Sequence, residues 1–379
     1  MPKNHNVAVL SLTVFFFLIV VFSWFYLLPL YLKGLGASDR EVGLAYTLFG
    51  FGWTLSQFLG GYLADRFGRK ALITFPTYSF SVFYALMALS HHWTAVTAAY
   101  FIVALGGALQ FPAFIAMIAE STERRERAFA IFEAVASFGA AIGPLLGAVI
   151  VGRVGLRPLM LATALVSLIC AIIRHWLLRE TKARPHPKPA LVTLSFNKNL
   201  LWFLVSGCFL FLAFSITING PFIALHLKEH LAQDEGKISL LFALGWLVAA
   251  IVGLFGGRIA KVFGAKRTLS LSVFFHPLFL LLWLLWDKIK LSLLPFLLSF
   301  IFAQFIYITY PVLISKLTEE ENRGRITGLL GTVAGLVASL GPILGMQFKL
   351  SLGGWAPFSL ALLFGILALL TLQLCKKKK

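Results

Sequence analysis

A carboxylate stands among basic residues directly after the second long apolar segment of the chain. The stretch that contains it carries Gly60, Gly61, Asp65, Arg66, Gly68, Arg69 and Lys70. Glycines let two helices approach closely, and charged side chains mark the depth at which lipid gives way to water. The preference for basic cytoplasmic loops does not by itself require an acid here. Asp65 is therefore a candidate for an electrostatic contact that forms and breaks; alternatively, these charges only mark topology and solvated helix ends.

Glu133 is the one acidic residue that falls inside a predicted membrane span. The other 14 of the 15 Asp and Glu residues fall in loops or at helix ends. A carboxylate inside the membrane is costly and is by default a functional candidate, and the chemistry it offers is proton transfer. It lies about 8 Å beyond the start of its helix, at about 1.5 Å per residue. At that depth it can also reach cytoplasmic water or pair with Arg127, so a structural role is the alternative.

The composition indicates that the apolar surface of the chain faces lipid. The chain has 379 residues, of which 59% are hydrophobic and 13% are charged, and its mean hydropathy is +0.88. A soluble domain carries about 25% charged residues. Twelve apolar stretches recur from end to end, and a transmembrane helix needs roughly 20 apolar residues. We therefore expect an all-α membrane protein with twelve transmembrane helices.

The twelve predicted helices fall into two groups of six. We place them at 7–31, 41–62, 71–90, 94–118, 128–151, 157–178, 200–225, 238–257, 268–286, 291–316, 326–348 and 354–375. A basic, proline-rich segment at 179–199 is typical of a solvated linker, and we expect it on the cytoplasmic side. It separates an N-terminal six-helix bundle at 1–178 from a C-terminal six-helix bundle at 200–379.

The distribution of basic residues predicts the orientation of the chain. With both termini on the cytoplasmic side, 24 of the 33 Lys and Arg residues lie on that side, as the positive-inside bias requires. We expect Arg174, near the inner end of the sixth helix, to extend toward the same surface. Because this bias accounts for the net charge of +18, we do not expect nucleic acid as a partner.

Residue types that hold metals or perform catalysis are not grouped in the sequence. Cys170, Cys208 and Cys375 lie far apart, and the eight histidines are scattered. We therefore expect no metal site, no disulfide, no cofactor and no enzymatic activity. The absence of a G-x-x-x-x-G-K-[ST] loop argues against an ATP-driven pump. The pair His276-Pro277 predicts a helix kink with a locally bonded histidine.

The two halves of the chain repeat each other. Residues 60–70 share six identities in eleven positions with residues 256–266, where Lys261 replaces Asp65. The pattern G-P-x-L-G occurs at 143–147 and again at 341–345. Because matching positions keep an offset of 195 to 199 residues, the repeat indicates duplication. Two parallel six-helix halves are typical of a transporter that rocks about a central site.

These motifs resemble those of the major facilitator superfamily over essentially the whole chain. Residues 60–70 are similar to the family signature G-x-L-A-D-R-x-G-R-K, and residues 179–181, Arg-Glu-Thr, resemble the common family ending after the sixth helix. The fifth predicted helix carries Gly139, Gly143, Pro144 and Gly147, and these residues resemble the motif of the drug-efflux antiporter branch. The resemblance implies the major facilitator fold and transport by alternating access.

The three glycines of that motif form a flat stripe, because they stand four residues apart on one helix face. Pro144 loosens one backbone hydrogen bond beside them. One interpretation is a bend against the eighth predicted helix that seals one access state. The alternative is ordinary close packing of helices.

The resemblance also implies a latch at the cytoplasmic side. Asp65 would face the N-terminus of the eleventh helix, near Arg325, when that side is closed. A carboxylate at a helix N-terminus gains about 0.3–1 kcal/mol, and opening to the inside would break the contact. We expect Arg69 to pair with Glu120 at the end of the fourth helix.

The resemblance places the first, fourth, seventh and tenth helices around the substrate cavity. The polar and aromatic candidates on them are Trp24, Tyr26, Gln110, Ser215, Thr217, Asn219, Gln304, Tyr307, Thr309 and Tyr310, of which Gln304 is the strongest. With no charge expected near mid-span, the cavity suits an apolar, amphipathic or neutral substrate; a phosphorylated anion would need buried Arg or Lys. For each residue, a hydrogen bond between helices is the alternative.

The sequence therefore predicts a secondary active transporter of small hydrophobic, amphipathic or neutral molecules, working by proton-coupled efflux. The first helix contains no acid, and Tyr100 and Phe101 stand where the efflux branch often has an arginine. An uncoupled facilitator, or a sugar, metabolite or lipid-like substrate carrier, is therefore the alternative. A flux-free sensor is a further alternative. We expect a monomer in the lipid bilayer, in a bacterial inner membrane, with protons and the substrate as its partners.

Overall fold

The computed structural model describes residues 5–181, 198–285, 289–318 and 323–375. The chain in these ranges is almost entirely helical and contains no β-strand, which confirms the all-α fold class. The helices are α1 (His5–Phe22), α2 (Leu28–Gly34), α3 (Asp39–Phe67), α4 (Arg69–Leu89), α5 (Trp93–Ser121), α6 (Arg125–Val154), α7 (Leu156–Leu177), α8 (Lys198–Ile216), α9 (Phe222–Glu229), α10 (Glu235–Phe263), α11 (Ala265–Trp283), α12 (Ile289–Leu317), α13 (Arg323–Ala338), α14 (Gly341–Leu352) and α15 (Ala356–Leu374). A 3₁₀ turn, Phe25–Leu27, lies between α1 and α2.

Eleven segments of the described chain are long and apolar enough to cross a membrane. α1 and α2 together form one of them, and α13 and α14 lie in another. The remaining long helix is α3, whose 29 residues span about 43 Å at about 1.5 Å per residue. The twelve expected crossings are compatible with these eleven segments and α3.

Three of the predicted helices are interrupted, so the expectation of one continuous helix at each of these places is wrong. α1 and α2 replace the helix expected at 7–31, α8 and α9 that at 200–225, and α13 and α14 that at 326–348. A proline lies at the start of each second part: Pro29, Pro221 and Pro342. Proline has no N–H to continue a helix, and its fixed φ suits the first helical turn. Each second part therefore begins at a position that suits its proline.

The chain divides into two compact units. Unit 1 comprises Met1–Ala37, Phe51–Leu194 and Asp234–Ala243, and unit 2 comprises Ser38–Gly50, Ser195–Gln233 and Leu244–Lys379. In unit 1, α1 packs against α6 and α7, and α4 packs against α5 and α7. In unit 2, α11 packs against α12 and α15, and α8 packs against α13 and α15. Most of the expected linker at 179–199 lies outside the described residues.

The repeated corner before α4 and before α11 depends on one glycine in each copy. Gly68 has φ of 91° and Gly264 has φ of 87°. A residue with a side chain rarely adopts this left-handed region, whereas glycine does so without steric cost. The glycine shared by the two copies is therefore explained by the same backbone turn in both units.

Candidate functional site

Arg69 lies at the centre of the charged corner between α3 and α4. Its side chain is 3% exposed; Nη1 donates to Asp65 Oδ1, and Nη2 lies 3.4 Å from Glu120 Oε1. The residues expected to pair, Arg69 and Glu120, are thus within ion-pair distance in unit 1. Hydrogen bonds between charged groups are shorter and stronger than neutral ones. Asp65 is consequently held in place by a buried guanidinium.

Glu180 completes this corner, although sequence reasoning assigned it no role. Its carboxylate accepts the backbone N–H of Arg69 at 2.8 Å and that of Lys70 at 3.1 Å, in the first turn of α4. Negative charge at a helix N-terminus is favourable because the first N–H groups lack helical partners. The adjacent Thr181 donates to Glu120 Oε2. The Arg-Glu-Thr sequence at 179–181 was the available signal for these contacts.

The two glycines before the corner differ in their surroundings. A methyl group on Gly60 would lie 2.7 Å from the carbonyl oxygen of Leu109, so α3 and α5 approach each other there. A methyl group on Gly61 would meet nothing within 4 Å. Arg66, the other basic residue of the corner, lies with its guanidinium 5.4 Å from the ring of Phe67. Of the two glycines, Gly60 is therefore the one that permits the close approach of α3 and α5.

The expected partner of Asp65 lies at the edge of the described chain. Arg325 is in the first turn of α13, and its side chain lies outside the described residues. At the second corner, Lys266 Nζ donates to the carbonyl oxygen of Cys375 at 2.7 Å, at the end of α15. Lys261, which replaces Asp65, is exposed. The two corners therefore share a turn but not a set of charge contacts.

Glu133 lies in the part of α6 that is apolar enough to cross a membrane, Arg127–Val154. Its side chain is exposed in the structure, and no ion pair or hydrogen bond joins it to another side chain in the described ranges. The alternative pairing with Arg127 is thus not seen there. A carboxylate in this position can change its protonation state without breaking an ion pair.

The glycine stripe of α6 packs against α1. A methyl group on Gly139 would lie 2.8 Å from the carbonyl oxygen of Phe15, and one on Gly143 would lie 2.6 Å from Cβ of Phe22. At Gly147 the same group would overlap the carbonyl oxygen of Ser23. These contacts are those of close helix packing. Pro144 stands within α6 without interrupting it.

The start of α10, at the eighth predicted crossing, also approaches α6, but at a different residue. A methyl group on Gly236 would lie 2.9 Å from the carbonyl oxygen of Ala148. Both residues belong to unit 1. The glycine stripe of α6 therefore packs against α1. The close approach between α6 and α10 depends instead on Gly236 of α10.

Several cavity candidates are buried inside the units. The Trp24 indole N–H donates to Thr163 Oγ1 at 2.9 Å, and the ring of Tyr26 stacks on Phe242 at 4.2 Å between ring centroids. Ser215 Oγ donates to the carbonyl oxygen of Leu212 at 2.9 Å. The polar groups of Trp24 and Ser215 are therefore hydrogen-bonded within the protein, although Ser215 is only partly buried.

Gln110 and Tyr310 are buried as well. Gln110 is 2% exposed, and its Oε1 accepts from Thr77 at 3.2 Å. The ring of Tyr310 stacks on Phe203 at 4.9 Å, and its hydroxyl is buried with no hydrogen-bond partner among the described residues. Gln110 is part of a buried polar cluster in unit 1 that also contains Arg174.

Arg174 is buried in unit 1, so the expectation that it extends to the cytoplasmic surface is wrong. It is 3% exposed; Nε donates to Thr13 at 3.0 Å, and Nη1 donates to Thr77 at 2.7 Å and to Gln110 at 3.3 Å. Thr13 lies eight residues from the start of α1, and Gln110 lies eleven residues from the end of α5. At about 1.5 Å per residue, these positions are about 12 Å and about 16 Å from those helix ends. The expectation that mid-span depth lacks buried arginine or lysine is wrong for the same reason.

Asn219 and Tyr307 form a polar pair in unit 2 that the protein leaves open. Asn219 is exposed in the interruption between α8 and α9, and its side chain lies near the hydroxyl of Tyr307, which is 43% exposed. Gln304, one helical turn before Tyr307 on α12, is partly buried; its Nε2 would lie 3.1 Å from a methyl group on Gly253. These three residues are the cavity candidates that retain free polar surface.

Sequence comparison relates the chain to known transporters. The sequence model of the Major Facilitator Superfamily matches residues 10–217 and 205–378. The chain is 25% identical over 351 residues to the multidrug resistance protein MdtG of Salmonella paratyphi C, a match covering 87% of this chain and 85% of that protein. It is 26% identical over 266 residues to MdtG of Proteus mirabilis, covering 65% and 66%.

Structural comparison gives the same fold. The nucleoside transporter NupG superimposes with a TM-score of 0.79 at 16% sequence identity, over 98% of this chain and 100% of that one. The apolar helices make the chain an integral, multi-pass membrane protein, and its curated relatives link it by similarity to the drug-efflux branch. Since the family match covers both halves of the sequence, the chain belongs to the Major Facilitator Superfamily of transporters.

Proposed function

We propose that the protein is a proton-coupled exporter of small hydrophobic or amphipathic molecules. The relatives named as multidrug resistance proteins support this substrate class. The open part of the candidate site is uncharged and partly aromatic, with Asn219, Gln304 and Tyr307. Such a surface suits a ligand that binds mainly through apolar contact and a few hydrogen bonds.

The observation that carries the proposal is the unpaired carboxylate of Glu133 within the membrane-crossing part of α6. Ionisable residues in such segments are costly and mark ion or proton pathways. A proton that moves down a pH gradient of two units releases about 2.7 kcal/mol. That free energy is sufficient to concentrate a neutral substrate about 100-fold. Glu133 would bind the proton in one access state and release it in the other.

Asp65 would act as the latch of the cytoplasmic side. The buried guanidinium of Arg69 and the carboxylate of Glu120 hold the corner in which Asp65 stands. Its carboxylate is 43% exposed, which leaves it able to contact a helix N-terminus such as that of α13, where Arg325 lies. We propose that this contact stabilises one access state and breaks in the other, by about 0.3–1 kcal/mol.

A facilitator for a neutral metabolite is the second candidate. It is favoured by the neighbouring side chains of Asn219 and Tyr307, because an amide and a phenol bind hydroxyl groups without requiring charge. In this case Glu133 would have no role in the driving force. We further propose a bacterial inner membrane, both termini in the cytoplasm, a monomer, and no enzymatic activity or nucleic-acid partner.

Flux in proteoliposomes tests the proposal. The assay follows a lipophilic cation dye under an imposed pH gradient, with wild type, Glu133→Gln and, as matched control, Glu123→Gln in the loop before α6. We expect gradient-driven accumulation by wild type and by Glu123→Gln. Accumulation by Glu133→Gln should fall at least tenfold while dye binding persists, because the amide cannot carry the proton.

Two outcomes would count against the proposal. If wild type exchanges dye across the bilayer with no dependence on the gradient, coupling fails and the facilitator for neutral substrates is favoured. If Glu133→Gln accumulates dye as wild type does, Glu133 is not the proton carrier.

A further inference from the structure

His276 is a fully buried, titratable side chain in unit 2 that the proposed transport cycle does not use. It is 1% exposed, on α11, and its ring contacts two other helices. Nε2 lies 2.9 Å from Thr217 Oγ1, next to the end of α8. Nδ1 lies 3.0 Å from the carbonyl oxygen of Ser299 and 3.2 Å from Ser299 Oγ, on α12. The histidine expected to be locally bonded thus joins three helices.

The surroundings of His276 can accommodate either charge state of the ring. In the neutral form, Nδ1–H donates to the carbonyl oxygen of Ser299, and Nε2 accepts the hydroxyl hydrogen of Thr217. In the protonated form, Nε2–H donates to Thr217 Oγ1. The Thr217 hydroxyl then turns to the carbonyl oxygen of Ala213, which lies 2.8 Å away. In both forms the two ring nitrogens are hydrogen-bonded, and the forms differ by one rotation of the Thr217 hydroxyl.

No charged side chain in the described part of unit 2 contacts the ring. α8 presents Phe214, whose ring centroid is 5.0 Å from that of His276; Thr217 follows the end of α8, and α12 presents Ser299. α15, which also packs against α11, presents Gly365 next to Pro277. A buried cation without counter-charge costs free energy. A proton on His276 would therefore favour a conformation in which water reaches the ring.

The ring is adjacent to the open polar pair of unit 2. Thr217 is the first residue of the interruption between α8 and α9, and Asn219 follows two residues later. Phe214 contacts both His276 and the ring of Tyr307, the latter at 5.4 Å between centroids. A change in charge at His276 can therefore reach the pair through Thr217 on one side and through Phe214 on the other.

We propose that His276 and Thr217 form a proton-binding site in unit 2, and that its occupancy controls the Asn219–Tyr307 pair at the helix interruption. The proton is taken from water at Nε2 and returned to water after the access change, with no other bond formed or broken. The inference rests on the proposed proton coupling and adds a second site to Glu133. It makes the helix interruption the element that responds to the proton.

Substitutions separate titration from packing at this site. We would compare His276→Gln, which keeps a hydrogen-bonding group but cannot titrate, with His175→Gln on α7 as matched control. Dye exchange without a pH gradient reports that each variant is folded and binds substrate.

We expect His276→Gln to keep exchange within about twofold of wild type and to lose gradient-driven accumulation at least tenfold. His175→Gln should keep both activities. If His276→Gln accumulates dye as wild type does, the inference is overturned. Wild type that exchanges dye without any response to the gradient would instead overturn proton coupling as a whole.

The protonation of His276 can also be measured directly. This measurement tests the inference even if wild type shows no coupling or a variant misfolds. Nitrogen NMR of histidine-labelled wild type in lipid nanodiscs follows the imidazole signals between about pH 5 and pH 8, where histidine charge changes occur. His276→Gln identifies the signal by its loss. We expect the signal of the protonated His276 ring to grow toward the acid end of this range, and its share to change when substrate is added. A His276 signal that stays constant across the range would contradict the site.

Discussion

Arg174 illustrates how unit 1 holds a buried cation without an ion pair. Its guanidinium joins α7 to Thr13, Thr77 and Gln110 on three other helices, and it lies 5.0 Å from the ring of Phe114. No carboxylate among the described residues lies within ion-pair distance of it. A planar guanidinium can reach several acceptors at once, whereas a lysine ammonium is a compact charge on a flexible stem. The role of Arg174 therefore depends on its shape.

We expect Arg174→Lys to destabilise the protein by about 1–2 kcal/mol, since two or three buried interhelical hydrogen bonds at about 0.6 kcal/mol each are lost. Unfolding in mixed detergent and SDS micelles measures this difference. Arg157→Lys is the matched control, because Arg157 donates one exposed bond to the carbonyl oxygen of Ser90. Equal stability of the two variants would show that the guanidinium geometry is unimportant.

Residue chemistry predicted some of these contacts and missed others for physical reasons. The charges of Arg69 and Glu120 and the ends of their helices bring the two residues together, and both features are readable in the sequence. The direction of Arg174 was misread because helical side chains tilt toward the helix N-terminus. Arg174 stands near the C-terminal end of α7, so that tilt directs its stem away from the nearby surface. Glu180 was missed because a capping contact depends on a turn that spacing does not reveal.

At the scale of helices, each repeated glycine stripe packs against a helix that is interrupted. In unit 1, Gly147 meets the carbonyl oxygen of Ser23 at the end of α1. In unit 2, Gly341 meets Ser215, and a methyl group on Gly345 would lie 2.7 Å from the ring of Phe222. The duplicated G-P-x-L-G pattern therefore places its small residues against the two interruptions. Close packing fixes the helix ends at which the candidate transport residues lie.

We expect Gly147→Ala to destabilise unit 1 by about 1–3 kcal/mol and to slow dye exchange, because the added methyl group overlaps a backbone carbonyl that must shift. The matched control is Gly152→Ala on the same helix, where a methyl group meets nothing within 4 Å. Thermal unfolding in detergent and exchange in proteoliposomes measure the two effects. A Gly147→Ala variant as stable and active as Gly152→Ala would remove the packing argument.

The interruptions themselves were not predictable from the apolar pattern, because the few polar residues in them, such as Thr217 and Asn219, stand within stretches that are apolar overall. Proline does not decide the matter either. Pro76, Pro112 and Pro144 stand inside continuous helices, whereas Pro221 stands at a helix start. Neighbouring helices and hydroxyl side chains can satisfy the carbonyl that a proline leaves free. The outcome depends on tertiary contacts, and single-helix periodicity does not contain them.

At the scale of the whole molecule, α3 is divided between the two units. Residues 38–50 belong to unit 2, where a methyl group on Gly43 would lie 3.2 Å from the carbonyl oxygen of Pro342 and Thr47 Oγ1 accepts the Ile343 N–H at 3.2 Å. The rest of α3, with Asp65, belongs to unit 1. Alternating access, as we propose it, requires a helix shared in this way to exchange contacts during the cycle. The ion pairs at its start are then part of the conformational equilibrium.

Lys349 forms an ion pair with the start of α3, and this pair provides a quantitative test. Its Nζ lies 2.8 Å from Asp39 Oδ2 and 2.6 Å from Glu229 Oε2, with the lysine side chain 11% exposed. A double-mutant cycle of Lys349→Gln and Asp39→Asn should give a coupling energy of about 1–2 kcal/mol in unfolding measurements. Lys349→Gln should also change the rate of dye exchange.

The control for this cycle is the pair of Lys237 and Asp234, whose side chains are 63% and 57% exposed. Exposed ion pairs contribute about 0–1 kcal/mol because water and salt screen them, so the second cycle should give the smaller coupling and leave exchange unchanged. Equal coupling in the two cycles would mean that partial burial adds nothing. If Lys349→Gln leaves the rate of dye exchange unchanged, the start of α3 keeps its contacts throughout transport. The access change would then have to occur elsewhere along α3.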